Sequence, residues 1–598
     1  MMKVGLATLS LPVLFFFSLA RSEELVLEPI IVTATRIPTV LPRLVRSVSI
    51  IEADQIEDAP VTSVPELLGY VMGVDVRRRG VYGVQADVSI RGSHFEQVLI
   101  LVDGIKVNDP QTGHHNMDLP LSLSDIERIE VLRGHGSSLY GPNAFGGVIN
   151  IVTKRPEGRG AKLEFRLGEN SLSSGALSLT YALGRFSNRL SFERKESSGY
   201  RRDTEFDINT LALTSTIEIP RGSLDLALGF TEKDFGANSF YSTKYPYQEE
   251  HTDTSFGNIR ARIDMGNITL EPMLYYRRHW DKYILDRYNP NFYTNRHTTH
   301  LYGGELQSHI SLVFGSFVLG AEIGKEEIDS TNLGVHSRSK EAIYIEFEPK
   351  LANKFILNLG MRGDHYSEWG WEGCPTLSAG YRVSPYVKLR GSIGRSFRVP
   401  TYTDLYYVSP ANVGNPDLVP ERAWSYEMGV DYNREDIYWG VTLFRREGRN
   451  LIDWIWRNST WEAENIGEVD TDGLEAAFKI KFDESLPISS VSLGYTYLDS
   501  EKKTGITSKY VLNYLKHQIC LEFDHMLPLE ARQVWKLSYK DRVQGDEYWL
   551  LDSRISKKLE NGKEIFVEGT NLLDTSYSEQ GGVPMPGRWV QGGMKVEF

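Results

Sequence analysis

Apolar and polar side chains alternate along most of this chain, and this pattern predicts the fold of its larger part. Ile343, Ile345 and Phe347, for example, alternate with Tyr344 and glutamates. Similar segments recur toward the C terminus, separated by connections rich in Gly, Asn and Asp. A period of two is typical of a strand that meets lipid on one face and a polar lumen on the other. We therefore expect residues 158–598 to form an antiparallel transmembrane β-barrel.

The two ends of the chain bear on the same prediction. The last ten residues alternate in the same way and end on Phe598, although a soluble edge strand would carry a similar pattern. Residues 1–20 have the form of a secretory signal peptide, with Lys3, an apolar run and the small-x-small site Ser18–Ala20. An uncleaved membrane anchor is the alternative for that run. No later stretch reaches about 20 consecutive apolar residues, which argues against a helical membrane protein.

The chain that precedes the barrel has a mixed pattern. Residues 63–70 predict a short helix, with Ser63 as a possible N-cap and Glu66 three positions later. Short strands are expected at 87–91 and 97–102. A polar lumen of channel size leaks unless something fills it, so we expect this small α/β domain to plug the barrel.

A glycine-rich stretch, Asp125 to Lys154, is the most informative part of this domain. It contains two alternating strands, IERIEVLR and GGVINIVTK, on either side of a turn region. Its GPNAFGGV segment lacks the GK[ST] ending of a phosphate-binding loop. Glycine allows positive φ and close backbone approach, so tight turns are the preferred interpretation. The glycines concerned are Gly134, Gly136, Gly141, Gly146 and Gly147.

Composition excludes several functions. The formal net charge of −13 makes nucleic acid an unfavourable partner. The two cysteines, Cys374 and Cys520, lie far apart and outside any CxxC spacing, and whether they pair stays open. Neither HExxH nor GxSxG occurs. We therefore expect a protein that is not an enzyme and that has no metal centre and no cofactor.

Several segments together resemble the TonB-dependent outer-membrane receptors. They are DIERIEVLRGHGSSLYGPNAFGGVINIVTK from Asp125, SIRG from Ser89, VLILVDGIKVND from Val98, SFRVPTYTDLYY from Ser396, GNPDLVPERAWSYEMG from Gly414 and GTNLLD from Gly569. The resemblance spans the plug and reaches the barrel; His135 departs from it, since the family usually has proline there. It implies a barrel of about 22 strands, a plug domain over residues 41–157 inside its lumen, and a place in the bacterial outer membrane among its lipids.

The sequence EPIIVTATR, from Glu28 to Arg36, resembles a TonB box within a linker over residues 21–40. The resemblance implies that this segment pairs with a strand of TonB by β-augmentation, powered by the TonB–ExbB–ExbD complex. An ordinary first plug strand is the alternative. The TonB-binding residues implied in this way are Glu28, Pro29, Ile30, Ile31, Val32, Thr33 and Ala34.

The resemblance also implies a charged contact between plug and barrel. Arg91 and Arg133 correspond to plug arginines that pair with barrel glutamates in the family, and Glu427 and Glu475 are the candidate partners. A buried charge pair fixes register and offers a switchable contact. Solvated charges in the lumen are the alternative.

Two plug apices and the outer loops are the candidate ligand-binding surfaces. The apices are 77–85 (RRRGVYGVQ) and 108–116 (NDPQTGHHN), which face outward in the family. The adjacent histidines of the second apex suit a metal-containing ligand, although hydrogen-bonded or solvated imidazoles are the more ordinary interpretation. The candidate apex residues are Arg78, Arg79, Tyr82, Gln85, Asn108, Gln111, Thr112, His114, His115 and Asn116.

Aromatic residues of the outer loops extend this candidate surface. Rings with polar tips suit a large, flat, amphipathic ligand, and they equally suit an interfacial girdle. The residues concerned are Tyr241, Tyr245, Tyr288, Tyr293, Tyr402 and Tyr406.

The resemblance implies active import of a metal chelate or corrinoid. The short barrel and several segments resemble the vitamin B12 transporter branch, so cobalamin or a related corrinoid is the first hypothesis. An iron–siderophore or haem receptor is the second, and a passive porin is the third. Asp203, Glu205 and Asp207 are the nearest approach to a calcium-binding loop, and a solvated acidic turn is the preferred interpretation.

Overall fold

The protein has two parts, a small mixed α/β domain and a large closed β-barrel. The structure is a computed structural model, which describes residues 31–32, 36–37, 39–40, 43–352, 354–483, 485–502 and 509–598. The predicted signal peptide lies outside these residues. Within the described ranges, no helix is both long and apolar enough to cross a bilayer.

The small domain is built around one mixed sheet. Its strand order is β3-β8-β9-β6-β7, with β6 and β9 parallel, and β4 and β5 form a separate hairpin. The elements are β1 (Ile31–Val32), β2 (Thr39–Val40), β3 (Val48–Glu52), α1 (Ala53–Asp58), α2 (Val64–Leu68), β4 (Val74–Arg78), β5 (Ala86–Ile90), β6 (Val98–Val102), β7 (Ile105–Lys106), β8 (Ile126–Arg133), α3 (Ser137–Tyr140) and β9 (Gly147–Thr153), with 3-10 turns at Phe95–Gln97, Gly113–His115 and Leu123–Asp125.

The predicted helix is present as α2, but its N terminus is stabilised differently from the prediction. Ser63 occupies the N-cap position, yet its hydroxyl makes no capping hydrogen bond. Glu66 instead accepts hydrogen bonds from the Thr62 backbone N–H at 2.8 Å and from the Tyr82 backbone N–H at 2.9 Å. The carboxylate therefore ties the start of α2 to the loop that follows β4, which is one of the two apices.

The barrel is closed by 22 antiparallel strands, which confirms the predicted fold class. Its first strand, β10, pairs with its last, β34, with Lys162 opposite Glu597. Three further short strands, β23, β26 and β27, form a small sheet in the connections. The elements are β10 (Arg159–Gly168), β11 (Leu172–Leu183), β12 (Phe186–Ser197), β13 (Phe206–Ile219), β14 (Gly222–Gly236), β15 (Glu249–Asp264), β16 (Ile268–Ile284), β17 (Thr294–Leu312), β18 (Gly315–Ser330), β19 (Gly334–Pro349), β20 (Phe355–Tyr366), β21 (Gly370–Arg382), β22 (Val387–Arg398), α4 (Tyr402–Tyr406), β23 (Asn412–Val413), β24 (Glu421–Arg434), β25 (Ile437–Arg449), β26 (Ile452–Arg457), β27 (Thr460–Asn465), β28 (Glu468–Lys481), β29 (Ile488–Lys502), β30 (Leu515–Leu527), β31 (Ala531–Arg542), β32 (Tyr548–Leu559), β33 (Lys563–Thr570) and β34 (Trp589–Glu597), with a 3-10 turn at Pro528–Glu530.

The barrel wall has an apolar outside and a polar inside. On β19, Ile343 and Ile345 are 62% and 41% exposed, whereas Lys340 and Glu346 on the other face are buried. Alternate residues of a strand point to opposite faces, so a single sequence pattern supplies both surfaces. The buried polar face surrounds the small domain, which fills the lumen.

The two rims of the barrel differ in the length of their connections. One rim carries short turns, including 184–185, 220–221 and 435–436, and the other carries long connections, including 237–248, 399–420 and 571–588. Long loops at one rim and short turns at the other are typical of transmembrane barrels, with the long loops outside. Both apices contact the long connections: Tyr241 lies against the first, and the Tyr402 backbone N–H donates to Pro110 of the second at 2.9 Å.

The glycine-rich stretch packs tightly because two of its glycines leave no room for a side chain. Gly141 has φ of 80°, which L-residues rarely adopt, and it ends α3 next to Arg362 of the wall. At Gly147 a Cβ atom would lie 2.5 Å from the carbonyl oxygen of Leu132 on the paired strand β8. The stretch therefore forms a close-packed turn inside the barrel, with α3 between its two strands.

The two cysteines are unpaired in the structure. Cys374 lies on β21 and is buried, and Cys520 lies on β30 and is half-buried. Both are therefore free thiols of the barrel wall, and neither forms a disulfide that links two parts of the chain.

Candidate functional site at the plug apices

The first apex is held in place by salt bridges. Arg79 Nη1 lies 2.9 Å from Asp87 Oδ2, across the hairpin formed by β4 and β5. Arg78 contacts Glu579 of the 571–588 connection, with Nε at 2.9 Å. Burial alone would raise the pKa of Asp87, but the charges of Arg79 and His114 outweigh it and hold that pKa well below its usual range.

Aromatic rings cover this apex. The Tyr241 ring lies 5.5 Å from the Arg79 guanidinium, and its hydroxyl accepts a hydrogen bond from Gln85 Nε2 at 2.6 Å. Tyr82 has φ of 56° and is buried against Phe206 and Trp589. One outer-loop tyrosine, Tyr241, therefore lies over the first apex. Tyr82 packs in the interior and does not line an open surface.

The second apex is ordered by its own hydrogen bonds. The Asn108 amide bridges β6, accepting from the Ile100 N–H and donating to the Val98 carbonyl, both at 2.8 Å. Asn116 Oδ1 accepts from the Asp109 N–H at 2.9 Å, and Thr112 accepts from the His114 N–H at 3.5 Å. Asn108, Thr112 and Asn116 therefore shape the loop.

The two adjacent histidines of this apex point to different partners. His114 Nδ1 lies 2.7 Å from Asp87 Oδ1, and its ring stacks on Phe95 at 4.6 Å between centroids. His114 thus joins the two apices. His115 Nδ1 lies 3.1 Å from Asp118, and its ring contacts His279 of strand β16.

His115 lies in a buried cluster of imidazoles and carboxylates. Its Nε2 atom is 3.8 Å from Asp281 Oδ1 and 4.0 Å from Glu250 Oε1, both on the barrel wall. Burial alone would lower the pKa of His115, but the hydrogen bond to Asp118 and the charges around it raise that pKa to about 10. One ligand atom each from His115, His279 and Asp281 lie within 4.8 Å of one another, which is compatible with a metal ion.

The other outer-loop tyrosines do not converge on the apices through their side chains. Tyr402 is buried, and its hydroxyl donates to the Glu326 carbonyl at 3.0 Å. The Tyr406 ring stacks on His336 with centroids 3.7 Å apart. Tyr245 contacts Phe292, Tyr288 is 63% exposed, and Tyr293 lies 3.4 Å from the Tyr407 hydroxyl. Of the six predicted tyrosines, Tyr241 is the one whose ring contacts the plug in the described chain.

The two plug arginines singled out in the sequence meet both glutamates. Arg91 Nη1 lies 2.7 Å from Glu427 Oε2, and its Nη2 lies 2.7 Å from Glu475 Oε2. Arg133 Nε lies 3.1 Å from the same Glu475 oxygen. All four side chains are buried, so this contact is a desolvated network between plug and wall.

The C-terminal end of the predicted TonB box, at Arg36, and the residue after it are fastened to the inside of the barrel. Arg36 Nη1 lies 2.7 Å from Glu305, and its guanidinium sits between the rings of Tyr140 and Tyr344 at 4.6 and 4.8 Å. The Ile37 N–H donates to Glu346 at 3.2 Å. Two predicted TonB-binding residues, Ile31 and Val32, pair antiparallel with Thr39–Val40. The remaining ones lie outside the described residues: Glu28, Pro29, Ile30, Thr33 and Ala34.

Family models match both parts of the chain. A model for the TonB dependent receptor-like beta-barrel matches residues 143–572, and a model for the TonB-dependent Receptor Plug Domain matches residues 43–148. The chain belongs to the TonB-dependent receptors. Receptors of this family are outer-membrane proteins of Gram-negative bacteria, and they work with the TonB energy-transducing system.

Relatives of this receptor cover nearly its whole length. The Vitamin B12 transporter BtuB of Photobacterium profundum is 24% identical over 620 residues, which cover 96% of each chain. The Iron-regulated outer membrane virulence protein of Vibrio cholerae O1 El Tor Inaba is 26% identical over 646 residues, which cover 96% of this chain and 95% of that one.

Solved structures share the receptor's fold. A double mutant of the ferric enterobactin receptor PfeA from Pseudomonas aeruginosa has a TM-score of 0.78 at 18% identity, covering 95% of this chain and 100% of that one. The siderophore receptor PirA from the same organism has a TM-score of 0.73 at 22% identity, covering 92% and 99%. The barrel with its internal plug is therefore a shared architecture.

The sequence analysis missed a buried cluster of ion pairs next to α4 of the receptor. Arg398 donates to Glu421 at 2.8 Å and to Asp404 at 3.0 Å, and it also contacts Glu96 of the plug. Because three carboxylates share one guanidinium, burial and the neighbouring Asp404 charge raise the pKa of Glu96 to about 8. Arg398 ends strand β22 on the same face as the buried Arg390, and this alternation is a signal that the sequence offered.

Proposed function

We propose that this receptor imports a metal-containing nutrient across the outer membrane, with cobalamin or a related corrinoid as the first candidate. The observation that carries the substrate assignment is the similarity to a vitamin B12 transporter over 96% of both chains. The apices support it, because they face the long loops and carry two polar atoms without a hydrogen-bond partner among the described residues, Gln111 Oε1 and Arg79 Nε, the latter near the Tyr241 ring. A corrinoid presents amides and an apolar ring face, which such a surface fits.

Coupling to TonB proceeds through contacts that run from the apices to the N terminus. Ligand binding displaces Tyr241 from Arg79 and strains the loop that begins at β4. Arg91 directly follows β5, the other strand of that hairpin, and pairs the plug with Glu475 of the wall. A pull by TonB on residues 28–34 is transmitted past Arg36, whose pairing with Glu305 must break before the plug moves.

At the rim that carries the short turns, movement of the plug would open a path for the substrate. A cavity of about 1030 Å³ lies there between plug and wall, lined by residues that include Arg46, Tyr70, Lys388 and Glu475. Displacing the neighbouring strand β3 extends this space toward the apices. The proposed path therefore passes the Arg91–Glu475 contact.

A ferric siderophore or haem is the second candidate. It is favoured by the relative from Vibrio cholerae, whose name describes iron regulation and which is 26% identical over almost the full chain. A passive porin is a third possibility that requires no TonB segment, and the network that fastens plug to wall argues against it.

A binding titration distinguishes these candidates. Purified receptor is titrated with cyanocobalamin, a ferric siderophore and haem, with intrinsic tryptophan fluorescence as readout. We expect submicromolar binding of cyanocobalamin, and a Tyr241→Ala variant should shift that affinity while the exposed-loop variant Tyr288→Ala should not. Tight binding of the ferric chelate without corrinoid binding would overturn the first candidate and support the second.

A further inference from the structure

We propose that the cluster between the second apex and strand β16 is a binding site for one divalent transition-metal ion, with His115, His279 and Asp281 as ligands. The three ligand atoms converge within 4.8 Å although one residue belongs to the plug and two belong to the wall. His279 and Asp281 are 0% and 2% exposed. The site goes beyond the proposed import of a corrinoid and does not depend on it.

Two ligand atoms in this cluster make no hydrogen bond within the described chain, although His279 Nε2 lies 3.8 Å from Asp118 Oδ2. His279 Nε2 and Asp281 Oδ1 are buried and have no hydrogen-bond partner among the described residues. Buried polar atoms that stay unpaired lose their hydration without compensation, so they are rare in native structures. A metal ion placed between them satisfies both at once.

The histidines are oriented as metal-bound histidines are. His115 Nδ1 lies 3.1 Å from Asp118 Oδ2, and His279 Nδ1 lies 2.8 Å from Thr254 Oγ1. A ligating imidazole usually makes a hydrogen bond through its other ring nitrogen to an oxygen, which fixes the ring and the tautomer. In both rings Nε2 is therefore the atom left for the ion.

The charge of the cluster matches a divalent ion. Asp109 is paired with Arg277 at 2.6 Å, and Asp118 is paired with Lys233 at 2.7 Å. Within the described chain, no lysine or arginine nitrogen pairs with Glu250 or Asp281, so these two carboxylates face His115 without a permanent cation beside them.

The types of ligand atom determine which metal ions the site can bind. Two imidazoles with one or two carboxylates suit Zn²⁺, Co²⁺ or Ni²⁺, and Ca²⁺ or Mg²⁺ prefer oxygen ligands alone. Ligands around a tetrahedral Zn²⁺ at about 2.0–2.1 Å are roughly 3.3 Å apart. The 3.8 Å between His115 Nε2 and Asp281 Oδ1 closes to this value through a small side-chain movement. Glu250, 4.0 Å from His115 Nε2, is placed as a fourth ligand.

Calorimetric titration of the untagged, chelator-treated receptor with ZnCl₂ tests the site. We expect one ion per chain, with affinity at least about tenfold weaker in Asp281→Asn and in His279→Gln. His300→Gln is the matched control, because His300 lies on the neighbouring strand β17 and contacts Tyr276 outside the cluster. Equal affinity in Asp281→Asn and the parent, or no saturable binding, would overturn the proposal.

A measurement on the unaltered protein covers the case in which the variants do not fold. CoCl₂ added to the parent receptor should produce the visible absorption of a four-coordinate Co²⁺ with nitrogen and oxygen ligands, and ZnCl₂ should abolish it. Absence of that band, or a band unaffected by ZnCl₂, would contradict the site. Neither result bears on corrinoid binding, which the titration with cyanocobalamin decides separately.

Discussion

Arg91 of the plug donates two parallel hydrogen bonds to Glu475 of strand β28, with Nε at 2.9 Å and Nη2 at 2.7 Å from the two carboxylate oxygens. The backbone at Arg91 is left-handed, with φ of 50°, and Gly92 follows with φ of 67°. This turn aims the guanidinium out of the plug and into the wall. A fork-to-fork pair of this kind fixes geometry as well as adding energy, so it determines how the plug sits in the barrel.

Removing Arg91 should loosen the plug. In Arg91→Ala, Glu475 and Glu427 each lose one buried partner and keep another, Arg133 and Arg390, so we expect a cost at the low end of the about 3–5 kcal/mol typical of a broken buried pair. Hydrogen exchange at the amides of β5 should therefore accelerate by at least a hundredfold, while the barrel strands keep their protection. Arg194→Ala, which removes an exposed pair with Asp207, is the control and should change nothing. Unchanged exchange in Arg91→Ala would show that the pair does not hold the plug.

The contact of Arg36 should control access to the TonB box. Arg36→Ala removes the ion pair with Glu305 and the hydrogen bond to the Leu139 carbonyl at 3.0 Å. A cysteine introduced at Thr33, which lies outside the described residues, should then react with a thiol reagent at least about tenfold faster without ligand. Arg43→Ala is the matched control, since Arg43 is half-exposed and pairs with Glu348. Equal labelling rates in the parent, Arg36→Ala and Arg43→Ala would show that the contacts of Arg36 do not limit access to the TonB box.

Stability should depend on pH through Glu96. The pKa of Glu96 is raised to about 8, so the folded state binds its proton more tightly than the unfolded chain does. This contribution is fully present below about pH 4.3 and declines as pH rises toward 8. Calorimetry should show that the free energy of unfolding of the parent falls by a few kcal/mol at most between pH 5 and pH 8. Glu96→Gln should remove this difference. The control Glu127→Gln, which alters a half-exposed carboxylate, should keep the difference between the two pH values. The same pH dependence in Glu96→Gln as in the parent would show that Glu96 is not its source.

Gly147 should be intolerant of even one methyl group. A Cβ atom there would lie 2.5 Å from the backbone oxygen of Leu132 and 2.7 Å from Ile90 Cδ1. Gly147→Ala should therefore destabilise the plug by about 1–3 kcal/mol or more, because the nearest atom is backbone and cannot rotate away. Limited proteolysis would detect this, with Gly175→Ala as the control, where a Cβ meets only Phe165 at 3.9 Å. A protease-resistant plug in Gly147→Ala would show that β9 shifts freely.

The architecture could be predicted because its signals are local. Alternation along strands such as β19 follows from the two-sided wall, and β8 coincides with the predicted strand IERIEVLR. Its cross-strand register could not be predicted, because one alternating segment pairs equally well with many others. The helix begins after Ser63 as predicted, but its hydrogen bonds could not be predicted, because Glu66 binds Tyr82, sixteen residues away, instead of closing a local cap with Ser63.

The candidate site was predictable on the plug side alone. His115 stands out in the sequence, but its partners on β16 lie more than 160 residues later. Arg277, His279 and Asp281 occupy alternate positions in RRHWDKY, so they share the lumen face, which is the one local signal that could have suggested the cluster. The outer-loop tyrosines show the opposite limit, since composition cannot tell Tyr241, whose ring contacts Arg79 of the plug, from Tyr288, whose hydroxyl contacts Asp203 of a barrel loop.

In the proposed mechanism, import depends on a pull that TonB transmits through the plug. Uptake of radiolabelled cyanocobalamin by cells that express either the full chain or a chain lacking residues 28–34 tests it most directly. We expect both to bind the label at the cell surface with equal affinity, and only the full chain to accumulate it in an energy-dependent manner. Accumulation at the same rate in the deletion would contradict the account and would identify the barrel as a passive pore.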